Sequence, residues 1–199
     1  MRLSYERYEE IKQTIANFLE DYDVRNLPVD VFELAKKMKI KIVFSTKLLK
    51  KHPNKIDEYF LFKYPHSFLY YNPVQQQIFI YIDDVGCKRE RQRFSLAHEL
   101  MHIILGHTEQ NEENEAEANF GASYLLAPTS LTLVNPNNYI LLNPAFVEQA
   151  FEVSAQAAEI ICRYNENRLY CCDFMETDYE RTINGLLGES LLIKIELYN

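Results

Sequence analysis

No run of apolar residues in this sequence approaches the roughly 20 needed to cross a bilayer, so no membrane span is expected. A basic surplus is missing too. The 21 Lys and Arg residues face 29 Asp and Glu, for a formal net charge of −8 and a pI of about 5.2. That balance argues against a broad phosphate-binding surface, and so against direct nucleic-acid binding, while leaving room for a basic protein partner. The opening residues MRLSYERYEEIKQ are charged from the second position and lack an apolar core, which speaks against a secretory signal. Cysteine is scarce. Cys87, Cys162, Cys171 and Cys172 form no CxxC pair and two are adjacent, the usage of reduced thiols in a cytoplasmic protein. Repeats and low-complexity stretches are also lacking. What is there is an ordinary globular composition, long enough for one domain with or without a small appendage.

Periodicity predicts an α+β fold. SYERYEEIKQTIANFLEDY carries apolar residues at helical spacing, and Pro28 opens a second short helix in PVDVFELAKKMK. KIKIVFS alternates as a strand does, KLLKKHPNKID (47–57) reads as a basic loop, and EYFLFK, SFLYY and QIFIYID follow as candidate strands. NPVQQ is the turn between the last two, so the expected sheet is small and antiparallel. EENEAEANFGASYLLAP reads as a helix stopped by Pro128. AFVEQAFEVSAQAAEIICRYNENRL reads as two helices broken near Val153 and Ser154, with Ser154 as N-cap. That break gives residues 145–168 a helix-turn-helix look, but Arg163 and Arg168 are offset by Glu159 and Glu166, which favours packing over DNA reading. The expected layout is a main domain over 1–168, with 169–199 as an extension in which SLLIKIELY can form a terminal strand.

FSLAHELMHIILGH, residues 94–107, is the informative stretch. It is apolar nearly all round, as a buried helix is, with Gly106 as its natural stop. Yet it carries His98, Glu99 and His102, whose burial without partners costs several kcal/mol, on the order of transfer estimates. His98 and His102 stand one turn apart on one face and can point at one ion, while Glu99 can reach a water on that ion. This is the HExxH arrangement of two zinc ligands and a general base. A catalytic zinc usually takes a third protein ligand. The next helix offers Glu115 on a stripe with Ala118, Asn119 and Ala122. Glu117 lies about 200° away around that helix, with Gly121, Tyr124 and Asn114, a more solvent-like set. Asn119 can hold a ligand histidine. An oxyanion donor is also wanted, and the fourteen tyrosines, His52, His66 and His107 all remain candidates.

FSLAHELMH followed by EAEANFGASYLLAP resembles the ImmA/IrrE metallopeptidases, and the likeness extends over roughly residues 5–168. The resemblance implies one Zn2+ per chain, held by His98, His102 and Glu115, with Glu99 as general base or acid. It implies a regulatory endopeptidase that cleaves a helix-turn-helix repressor and so derepresses mobile-element or stress genes. The family's usual LLMP stands here as LLAP, and Gly121 occupies a position where another small or larger residue is common; both touch packing rather than chemistry. The alternative is a non-proteolytic anti-repressor that binds its partner, with zinc chiefly structural.

Overall fold

The computed structural model describes residues 2–51, 66–133, 140, 142–170 and 176–198. Helix α1 (Tyr5–Asp21) begins where the Ser4 hydroxyl accepts from the Arg7 amide at 3.2 Å. It buries Ile11, Ile15, Phe18 and Leu19 on one side. Helix α2 (Val31–Lys37) is capped by Asp30, whose carboxylate accepts from the amides of Phe32 and Glu33, and it begins three residues later than Pro28 suggests. Strand β1 (Lys41–Phe44) runs straight into helix α3 (Ser45–Lys51), so the start of the expected basic loop is helical. Strands β2 (Ser67–Asn72) and β3 (Gln77–Ile82) form a hairpin, and Asn72 Oδ1 accepts from the amides of Val74 and Gln75 to fix its turn. The candidate strand EYFLFK lies outside the described residues.

The sheet order is β1-β3-β2, and here the antiparallel expectation is corrected. β2 and β3 are antiparallel, but β1 pairs with β3 in parallel, Lys41 opposite Phe79 and Phe44 opposite Ile82. β3 thus has its hairpin partner β2 on one edge and the parallel β1 on the other. Alternation identifies a strand but not its neighbour. Ile80 and Ile82 on β3 are fully buried, together with Val31 and Ala35 of α2 and Leu96, Ala97, Leu100 and Met101 of α4 (Arg89–Ile104). Arg93, the last residue of the basic run KRERQR that precedes Phe94, is buried: it pairs with Glu152 at 2.6 Å and donates to the carbonyls of Val29 and Phe151.

Helix α5 (Glu112–Leu126) packs against α4. Asn111 caps it, accepting from the Asn114 amide at 2.8 Å. The two helices approach closely at Gly121, where a Cβ would lie 2.6 Å from Met101 Cε. A 3-10 turn (Thr129–Leu133) leads towards α6 (Pro144–Phe151) and α7 (Ala155–Tyr170). The expected break falls at 152–154: Glu152 takes a left-handed conformation, and the Ser154 hydroxyl accepts from the Ala157 amide.

The expected terminal strand is instead part of helix α8 (Asp178–Tyr198). Tyr179, Ile183, Leu187 and Leu191 recur at helical spacing and are buried. The alternation within SLLIKIELY is real but is overridden by the longer stripe upstream of it. α8 packs on α1, where Tyr179 donates to Glu9 at 2.6 Å, and Ser190 accepts from the Leu27 amide at 2.8 Å. Both ends of the chain therefore share one core cluster. Among the described residues no helix is long and apolar enough to cross a membrane, and Cys87 and Cys162 are free thiols.

Candidate active site

Helix α4 ends in a Schellman turn. Gly106 has φ +70°, its amide donates to the Ile103 carbonyl at 3.1 Å, and the His107 amide reaches back to the His102 carbonyl at 2.9 Å. Glycine supplies the left-handed conformation that any Cβ resists. The turn also folds His107 over His102. A loop then leads into α5, which packs against α4 and carries Glu115 in its first turn.

His98, His102 and Glu115 converge. The two Nε2 atoms are 3.1 Å apart, and Glu115 places one oxygen 3.3 Å from His98 Nε2 and the other 3.6 Å from His102 Nε2. Zinc with bonds of about 2.0–2.1 Å in a tetrahedron separates its ligand atoms by roughly 3.3–3.4 Å. These three donors stand close to that spacing, and they are the His/Cys/Asp/Glu group of the described residues suited to a metal. Two imidazoles and a carboxylate are also the donor set that a borderline cation prefers. Burial depresses the basicity of both histidines; for His102 the neighbouring His98 adds to this and brings the pKa down to about 4. Each ring is thus neutral near pH 7, with a lone pair available for ligation.

Glu99 faces the same cleft, an opening of ≈ 520 Å³ between α4, the start of α5 and β2. Its side chain is buried, and its Oε1 accepts from the Ser67 hydroxyl at 2.8 Å. Burial lifts its pKa to about 7, with Glu115 pushing the same way and the Ser67 hydrogen bond opposing. A carboxyl poised near neutrality is what proton transfer in both directions requires.

The reading of α5 needs one correction. Glu117 is not on a solvent-like face: it is 4% exposed, while the Glu115 side chain is 44% exposed at the cleft. The face judged polar is covered by α1, whose Arg7 grips Glu117 through Nε and Nη2, each at 2.6 Å. The Arg7 hydrogen bond holds the Glu117 carboxyl below the usual range, against the effect of burial. Asn119 sits beside His98 and favours its charged form.

Among the candidates for a second role, His66 and His107 line the cleft, and His52 lies outside the described residues. Sequence reasoning missed Ser67 and Arg7. Nothing local marks Ser67, a strand residue brought to Glu99 by the sheet. His107 carried a usable signal, a histidine directly after the glycine that stops the ligand helix.

A comparison with curated proteins gives no match. The model of a peptidase family, M78, described as the IrrE N-terminal-like domain, matches residues 35–163. That segment runs from α2 into α7 and contains His98, Glu99, His102 and Glu115. With well over half its length matched, and with a His-His-Glu group that could hold a metal beside a buried carboxyl, the chain belongs to the IrrE N-terminal-like peptidase family, which points to a metallopeptidase-type function.

Proposed function

We propose that the protein is a zinc-dependent endopeptidase with a regulatory role, whose substrate is a helix-turn-helix repressor. The observation that carries the catalytic part is the convergence of His98, His102 and Glu115 at ligand spacing beside the buried Glu99. Those three side chains would hold the zinc, which when bound supplies Lewis acidity to a peptide carbonyl and acidity to a water. The remaining work belongs to the chain. Glu99 takes the proton of the attacking water at its carboxylate and then passes it to the leaving amine. The Ser67 hydroxyl orients that carboxylate through its bond to Oε1. β2 ends the sheet on the cleft side and has an unpaired edge among the described residues, so an extended polypeptide can add to it as a strand and lie across the site. Recognition of a repressor rests on the family likeness, and a basic partner suits the chain's net charge of −8.

Glu99→Gln tests this reading. The variant should bind zinc as the native protein does and should lose cleavage of the cognate repressor by at least about 100-fold, since general acid-base catalysis contributes that much. Full cleavage by the variant removes Glu99 from the mechanism. Undiminished derepression without cleavage by either protein would move the reading to an anti-repressor that acts by binding.

A further inference from the structure

Hydrogen bonding continues outward from the site. His102 turns Nε2 towards His98 and Glu115, and its other nitrogen, Nδ1, is 2.9 Å from Nδ1 of His107. Nε2 of His107 is 3.0 Å from Glu117 Oε2. Glu117 is held in turn by Nε and Nη2 of Arg7. The chain of contacts joins α4, the turn after it, α5 and α1. His107 and Glu117 have side chains only 6% and 5% exposed, so water does not substitute for these partners.

With both rings neutral, donor and acceptor rules fix the direction of every link. An ionised carboxylate only accepts, so His107 presents Nε2–H to Glu117. Its Nδ1 is then a bare acceptor, and the hydrogen between the two rings must sit on His102 Nδ1. His102 is left with a bare Nε2 aimed at His98 and Glu115, the form that ligates a metal. The opposite tautomer would leave two acceptors facing each other at 2.9 Å and would block the ligating lone pair.

We propose that Arg7, Glu117 and His107 are positioning residues that hold His102 in its metal-ligating tautomer, so that the first helix sets the metal affinity of the site. Arg7 lies outside the family-matched segment 35–163, so this support is a property of the whole chain rather than of that segment. The inference rests on the metallopeptidase reading above, and the test separates the two.

The test measures Zn2+ and Co2+ affinity of the full chain by competition with a chromophoric chelator, alongside the melting temperature of the metal-free protein. His107→Leu keeps bulk but has no acceptor, and should weaken binding about 10–100-fold. His107→Asn puts an acceptor close to the Nδ1 position and should recover affinity to within about 3-fold of the native protein. Arg7→Gln, a half-exposed change that tests the far end, should cost about 3–10-fold and alter the visible spectrum of bound Co2+. Native affinity in both His107→Leu and Arg7→Gln overturns the inference. So does a loss that tracks metal-free stability, with His107→Asn no better than His107→Leu. Failure of the native chain itself to bind either ion would instead sink the metallopeptidase reading, and this support with it.

Discussion

Glu115 and Glu117 are two residues apart on one helix and do opposite things. Glu115 stands half open at the cleft and meets both histidines, while Glu117 is sealed under α1. Their alanine variants should therefore separate. Glu115→Ala should leave stability within about 0.5 kcal/mol, as changes at such open positions do, and should weaken metal binding beyond the roughly 10–100-fold expected of an outer partner. Glu117→Ala should lower stability by about 1–3 kcal/mol through loss of hydrogen bonds to a charged group, with the smaller effect on metal. Calorimetry and chelator competition on the same preparations check both; equal metal loss in the two variants would contradict the assignment. His98 and His102 were legible as a pair because helical spacing sets them on one face, and Glu115 was read from the stripe of small residues on the helix that follows. Glu117 was misjudged because its partner lies 110 positions away, a distance that no local pattern spans.

Elements differ in the same way. α1, α4, α5 and the break before α7 follow from local spacing, caps and stops, and the sequence predicts them. The parallel pairing of β1 and the helical tail depend on which neighbour each segment meets, which alternation does not specify. The turn after α4 is the element whose local chemistry matters most for the site. Gly106 has open space where a Cβ would go, so Gly106→Ala suffers no clash, only the strain of φ +70°. The expected cost is about 1 kcal/mol of stability, read by denaturant unfolding. Metal affinity should fall as well, because the same turn sets His107 over His102. A variant with native stability would show that the turn relaxes into another conformation without penalty.

At the scale of the molecule, one core cluster unites the N-terminal helix, the sheet, the two site helices and α8. The acidic surplus belongs to this scale too. α6 and α7 have the outline of a helix pair that reads DNA, but Phe146, Val147, Ala150 and Ala158 are spent on the core, and the helices sit in a chain of net charge −8. The isolated protein should show no nanomolar, sequence-specific duplex binding at physiological salt. A mobility-shift titration against a defined operator tests this, and a tight, salt-sensitive complex would reverse it.

The ion pair between Arg7 and Glu117 also has a consequence for the order in which the site is built. The three candidate ligands lie within one helical hairpin, a local unit that can close early during refolding. Their outer support requires a contact between residues 110 positions apart, which closes against a larger loss of chain entropy. During refolding in the presence of metal, the hairpin can capture the ion loosely before α1 docks, and the grip tightens afterwards. Metal uptake would then have two phases, and only the second would report arrival of the amino-terminal helix.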